Sequence, residues 1–196
     1  KAVKYAHSDM ASLESRLAAI PDEFGKLIVT DGVFSMSGEI AKLPEIVALA
    51  RKYGARVMVD DAHGAGMIGD GGRGTASYFG LEKEVDMIMT TFSKSFGSLG
   101  GVVVADAPVI DYMRHRSRPF IFSASIPPAS AAAALEALRI IKREPERTAR
   151  LEDVADYMRK RLRENDIPIM AGHGTAIVPI FTYTRDRTFL AAKLLF

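Results

Sequence analysis

Four short apolar runs, each bounded by turn or helix signals, set the limits on what this chain can fold into. They are Leu27-Ile28-Val29-Thr30, Arg56 to Asp60, Met87 to Thr91 and Val102 to Ala105. Runs of this length without polar alternation suit strands buried on both faces, as in a parallel sheet. Helical segments stand around and between them. Asp9 can cap a helix with Met10, Leu13, Leu17 and Ile20 on one face, ended by Pro21. Leu43 to Tyr53 follows, with Pro44 in its first turn and Gly54 as its stop. Pro108 to Arg116 reads as a further helix and Phe120 to Phe122 as a short strand. Strands alternating with helices predict an α/β fold whose functional groups gather at strand C-termini.

After Pro127-Pro128 the pattern changes. Ala129 to Arg143 is Ala-rich and helical, and Arg147 to Glu164 is a long amphipathic helix. Ala176 to Thr182 reads as a strand, with Pro179 pointing to an edge position. Phe189 to Phe196 reads as a helix without a stop signal, so both ends look cut within structure. The expected division is a large domain over 1–145 and the start of a smaller α+β domain over 146–196.

Composition removes several function classes. Lys+Arg 26 against Asp+Glu 24 leaves +2 with no basic cluster, which argues against nucleic-acid or membrane-surface binding. Without cysteine there is no disulfide framework, thiolate nucleophile or Cys-based zinc site, and a cytoplasmic setting is expected. No apolar stretch is long enough to span a membrane, and Lys1 to Lys4 begins no signal peptide.

Two polar clusters stand at strand ends. One is Asp60-Asp61-Ala62-His63 and the other is Thr91-Phe92-Ser93-Lys94-Ser95. Gly64-Ala65-Gly66-Met67-Ile68-Gly69 formally matches a dinucleotide fingerprint, but Asp70-Gly71-Gly72-Arg73-Gly74 is too glycine-rich to supply the helix it needs. Lys94-Ser95 lacks the preceding glycines of a phosphate-binding P-loop. Asp60, Asp61 and His63 do not have zincin spacing, and no metal is expected. Taken singly, Lys94 could be a solvated surface cation and Asp60 a turn residue. Together they suit pyridoxal 5'-phosphate chemistry, in which a partly desolvated lysine holds the cofactor and an aspartate keeps the ring nitrogen protonated. Hydroxyls such as Thr91 and Ser93 suit its phosphate.

The residues Thr30-Asp31-Gly32-Val33-Phe34-Ser35-Met36-Ser37-Gly38, Val59 to Gly66, Thr91 to Gly97 and Arg118 to Pro128 resemble, in order and spacing, the α-oxoamine synthases. These fold-type I pyridoxal phosphate enzymes include 8-amino-7-oxononanoate synthase and serine palmitoyltransferase. The likeness covers nearly the whole chain and weakens after about Arg150. It implies a three-layer α-β-α large domain around a mostly parallel sheet. By motif, Lys94 would hold the cofactor as a Schiff base and remove the substrate α-proton. Asp60 would pair with the pyridine nitrogen, and His63 would hydrogen-bond the phenolic oxygen. Ser35 would lie near the ring edge, Thr91 would bind the phosphate, and Ser123 would reach the phosphate in a neighbouring subunit. The resemblance thus implies a homodimer with shared sites that condenses an amino acid with an acyl-CoA thioester, typically with loss of CO2. Alternatives within the same fold are an aminotransferase and a non-catalytic partner subunit; retention of Lys94, Asp60 and His63 argues against the latter. The wording around Lys94 and Arg118 leans towards serine palmitoyltransferase, and Asp60 to Gly64 towards the oxononanoate synthase. The histidine that stacks on the ring and the arginine that grips the substrate carboxylate fall outside these residues.

Overall fold

The computed structural model describes residues 1–170 and 174–195. Strands β1 (Lys26–Asp31), β2 (Ala55–Asp60), β3 (Met87–Thr91) and β4 (Gly101–Ala105) form one sheet in the order β1-β2-β3-β4. β1, β2 and β3 run parallel, whereas β4 is antiparallel to β3. Connection length accounts for the difference. Residues 32–54 and 61–86 contain crossover helices, α2 (Leu43–Lys52) and α3 (Thr75–Tyr78). Residues 92–100 contain none, so the chain can only turn back on itself.

Ile28, Val57 and Val59 are buried beneath α2 and α1 (Met10–Ala18), against Leu13, Leu17, Leu43, Ile46 and Val47. Each such side chain contributes about 1.5–3 kcal/mol by leaving water. The opposite face of β1 is open, with Leu27 52% and Val29 54% exposed. β1 therefore alternates, where its unbroken apolar run had suggested burial on both faces. The helix ends follow local chemistry. Asp9 accepts a hydrogen bond from the Ser12 N–H at 2.9 Å and starts α1. Gly54, at φ +62°, takes the left-handed conformation just beyond α2.

The four expected strands and the helices around them are present, but two expected strands are not. Phe120 and Ile121 lie in a short helix, α5 (Arg118–Ile121), which follows α4 (Ala107–Arg116) after Ser117. Pro119 in its first turn has the fixed φ that helix starts favour. In place of a strand over Ala176 to Thr182 there is an isolated bridge, Ile169 to Ile180. Pro179 offers no N–H there, and the Phe181 N–H turns back to the Pro168 carbonyl at 2.8 Å.

α6 (Pro128–Arg143) and α7 (Glu146–Glu164) have the expected extents. α8 (Arg185–Leu195) begins earlier than expected, and Phe196 lies outside the described residues. Arg159 of α7 is 3% exposed and donates to Asp156 Oδ1, to the Thr175 carbonyl and to the Ile177 carbonyl. Thr175 in turn donates to the Gly38 carbonyl at 2.9 Å, pinning this segment to the loop after β1. Among the described residues no helix is long and apolar enough to cross a membrane.

Candidate active site

The C-terminal ends of the three parallel strands collect the chemistry. Asp60 ends β2, and neighbouring positions on a strand face opposite sides of the sheet. This separates Asp60 from Asp61, which the sequence presents as a pair. The Asp60 carboxylate stays half-buried at the sheet edge and accepts the Ala62 N–H at 3.1 Å. Asp61 points into the protein and is 1% exposed.

Asp61 organises the turn beneath the site. Its Oδ2 accepts the Thr75 N–H at 2.9 Å and its Oδ1 the Thr75 hydroxyl at 2.6 Å. Its carbonyl accepts the N–H groups of Gly64 and Ala65, which folds the chain around His63. Burial pushes the Asp61 carboxyl above the usual carboxylate range, against the opposing pull of the Thr75 hydrogen bonds. Gly32 and Gly64 lie so close to this carboxylate and to Thr75 that a Cβ at either position would collide with them. Glycine is therefore a packing requirement at both.

His63 is half-buried in the turn after β2. Burial first, then the Lys94 ammonium, depress its pKa; Asp31 and Asp60 pull it upward. His63 thus lies within the electrostatic reach of Lys94, Asp31 and Asp60. Burial is also the main cause that raises Asp31, followed by the charge of Asp60, while His63 and Lys94 act against them. Sequence reasoning included Asp31 only as part of the Thr30 to Gly38 motif and gave it no role. The available signal was its position, since Asp31 ends β1 as Asp60 ends β2. Among the described residues no three His, Asp or Glu groups gather closely enough to hold a metal ion.

Lys94 sits in the loop that joins β3 to β4. Hydrogen bonds from Phe92 N to Gly100 O and from Ser98 N to Phe92 O close that loop, and Gly97 turns it at φ +56°. The expected partial desolvation of Lys94 is not supplied by the described residues, for the side chain is exposed. The apolar strand before it ends three residues earlier, so its shelter does not extend to the turn.

Ser95 connects the two clusters. Its hydroxyl donates to the Ala65 carbonyl at 2.7 Å, and Gly66 packs directly against it. A Cβ at Gly66 would lie 2.7 Å from Ser95, on a backbone already at φ +77°. Gly66→Ala is therefore expected to cost about 1–3 kcal/mol in stability. It should also displace the turn that carries Lys94; chemical denaturation together with amide-proton NMR of residues 92–100 checks both.

Thr91 ends β3, donates to the Gly100 carbonyl at 3.1 Å and accepts the Ser93 N–H at 3.3 Å. Its hydroxyl and that of Ser93 lie 2.9 Å apart, forming a small hydroxyl pair beside Lys94. Ser35 and Ser123 are both exposed, in the loop after β1 and in the segment after α5. Neither hydrogen-bonds to the cluster among the described residues.

The family model described as aminotransferase class I and II matches residues 1–195. A serine palmitoyltransferase of Bacteroides thetaiotaomicron is 50% identical over 194 residues, covering 99% of this chain and 49% of the relative. An 8-amino-7-oxononanoate synthase of Thermosipho melanesiensis is 44% identical over 192 residues, covering 98% of this chain and 49% of the relative. Among solved structures, a serine palmitoyltransferase of S. paucimobilis bound to PLP and myriocin superposes with a TM-score of 0.90 at 37% identity. That match covers 94% of this chain and 48% of that one. The chain thus spans about half the length of the curated relatives it matches.

Proposed function

We propose, from the premise that this chain belongs to the aminotransferase class I and II family and has its fold-type I architecture, that it forms part of a pyridoxal 5'-phosphate enzyme. The enzyme condenses an amino acid with an acyl-CoA thioester. The observation that carries this reading is that Asp60 and His63 at the end of β2 and Lys94 in the loop after the adjacent β3 are drawn to one end of the sheet, where the Ser95 hydroxyl bonds the Ala65 carbonyl and joins the two turns. The donor set fits the cofactor: a carboxylate for the ring nitrogen, an imidazole for the phenolic oxygen, an amine for the aldehyde carbon and hydroxyls for the phosphate. When bound, the cofactor supplies an electron sink for a carbanion at the substrate α-carbon.

The protein's part is placement and proton handling. Asp60, held by the Ala62 N–H, would pair with the protonated ring nitrogen. His63 donates towards the phenolic oxygen. Thr91 and Ser93 offer their paired hydroxyls to the phosphate, and Ser35 borders the ring. Lys94, exposed in a loop closed by backbone hydrogen bonds, would hold the cofactor at rest, and its Nζ would then take the α-proton of the amino acid. A carbon–carbon bond forms at the acyl carbon, the carbon–sulfur bond breaks, and CoA leaves as the free thiol. The carboxylate of the amino acid would depart as CO2, the proton held on Lys94 Nζ would take its place on the α-carbon, and the CoA thiolate would be protonated from water.

Ser123 serves a neighbouring subunit in a homodimer. Phe120, 66% exposed, and Phe122, 81% exposed, support an interface there. Residues 1–145 make up the cofactor-binding portion, and 146–196 begin a smaller domain.

The names of the relatives favour condensation over amino-group transfer, and three serine palmitoyltransferases at 49–50% identity make serine with a long-chain acyl-CoA the first pair to test. Glycine, alanine and serine would each be offered with short and long acyl-CoAs while free thiol is followed. Thiol release that depends on both substrates is the expected result. Amino-group transfer that requires a keto-acid acceptor and releases no thiol would overturn the reading.

A further inference from the structure

Ser35 stands at the tip of a small hairpin that follows β1, at the same end of the sheet as Asp60. An isolated bridge between Val33 and Ile40 closes its base. Within it the Phe34 N–H donates to the Glu39 carbonyl at 2.9 Å, and the Gly38 N–H to the Phe34 carbonyl at 2.8 Å. Two side chains from outside hold it. Thr175 donates its hydroxyl to the Gly38 carbonyl. His7, 32 residues away from Glu39, has its Nε2 2.8 Å from Glu39 Oε2. A carboxylate only accepts, so the imidazole N–H donates. The same ring meets Phe34 edge-on, with centroids 4.5 Å apart. His7 therefore touches both arms of the hairpin, one before the tip and one after it.

His7 is itself fixed from behind. Ser8 takes the left-handed conformation at φ +50°, uncommon for a residue with a side chain. Such backbone persists only where the surrounding structure enforces it. Here the Asp9 N–H donates to the Ala6 carbonyl, and the Ala6 N–H to the Ser12 hydroxyl at 3.1 Å, which folds the turn onto the start of α1. α1 is anchored in the core by Leu13 and Leu17. The imidazole thus ties the core to the hairpin. We propose that His7 is a positioning residue of the site: through its bond to Glu39 and its contact with Phe34, it sets where Ser35 stands beside the cofactor ring. The proposal rests on the reading of the site given above.

The intact protein is studied first without cofactor. In His7→Ala the amide protons of Phe34 and Gly38 should exchange about 2- to 5-fold faster, while those of β2 keep their rates. His7→Gln, which keeps an N–H donor near the place of Nε2, should restore most of the protection. Pyridoxal phosphate is then titrated into each protein by visible absorbance. His7→Ala should weaken binding about 2- to 5-fold, and Ser35→Ala at least as much. Adding His7→Ala to Ser35→Ala should cost nothing further, because residues that act through one another are not additive. A merely structural His7 would give losses that multiply. Should His7→Ala fold poorly by circular dichroism, Glu39→Ala breaks the same bond and carries the same expectations. Unchanged exchange in the hairpin, unchanged affinity in His7→Ala, or losses that multiply would each overturn the proposal. A wild type that binds no pyridoxal phosphate sinks the functional reading instead, and the exchange rates then decide whether His7 holds the hairpin.

Discussion

Lys94→Ala is expected to abolish the visible absorbance that pyridoxal phosphate acquires on binding and to lower condensation about a thousandfold or more. In the proposed function two roles would vanish together, the covalent hold on the cofactor and the amine that takes the α-proton. The fold should be unaffected. Lys94 is exposed in a loop closed by backbone hydrogen bonds, and surface substitutions of that kind usually stay within about 0.5 kcal/mol. Comparing the absorbance spectrum, turnover and thermal unfolding of the variant with wild type separates chemistry from folding. A small added primary amine should recover part of the activity, because the missing group is itself a small amine. Unchanged spectrum and turnover in Lys94→Ala would remove the central residue of the mechanism.

The second large effect is on stability. Asp61→Ala leaves the buried N–H and hydroxyl of Thr75 without their acceptor. Stranding two such donors costs about 2–4 kcal/mol, a large share of the margin of an ordinary domain. Asp61→Asn keeps one acceptor and should lose roughly half as much. The pH dependence has a definite sign. A carboxyl whose pKa is raised by folding favours the folded state while protonated. Its contribution is full below the unfolded value of about 3.9 and is lost as pH rises through the higher folded value. Wild-type protein should therefore lose stability across that window, and Asp61→Asn should show a flatter profile in denaturant melts at several pH values. A steeper loss in Asp61→Asn, or none in Asp61→Ala, would mean that Asp61 is not the buried acceptor described here.

The strand ends were legible because they depend on local rules. Short apolar runs with turn residues after them located all four strands; Asp60 is the last residue of one, and His63 and Lys94 each stand three residues past a strand end. Facing was harder to read. Asp60 and Asp61 are adjacent in sequence, yet one borders the site and the other supports it from below, because side chains alternate along a strand. The place of Asp31 beside Asp60 was missed for a related reason: it comes from register with a strand more than twenty residues away, which no local pattern encodes. The Phe120 to Phe122 run failed as a strand because three residues suit either structure, and Pro119 favours the start of a helix. Exposure of Lys94 depends on what packs over a turn, and a one-dimensional pattern holds no such information.

The reversal between β3 and β4 also has a kinetic consequence. Joining β1 to β2, or β2 to β3, requires closing a long crossover before any ladder forms, whereas β3 and β4 meet across residues 92–100 alone. Loop-closure entropy and contact order favour the shorter path, so this hairpin can assemble early. The loop that bears Lys94 would then take shape ahead of the parallel pairings, though after the faster helices. Asp60 and His63 would join it only when the parallel crossovers close. In that order the Lys94 turn is built before the strand ends that face it are brought alongside.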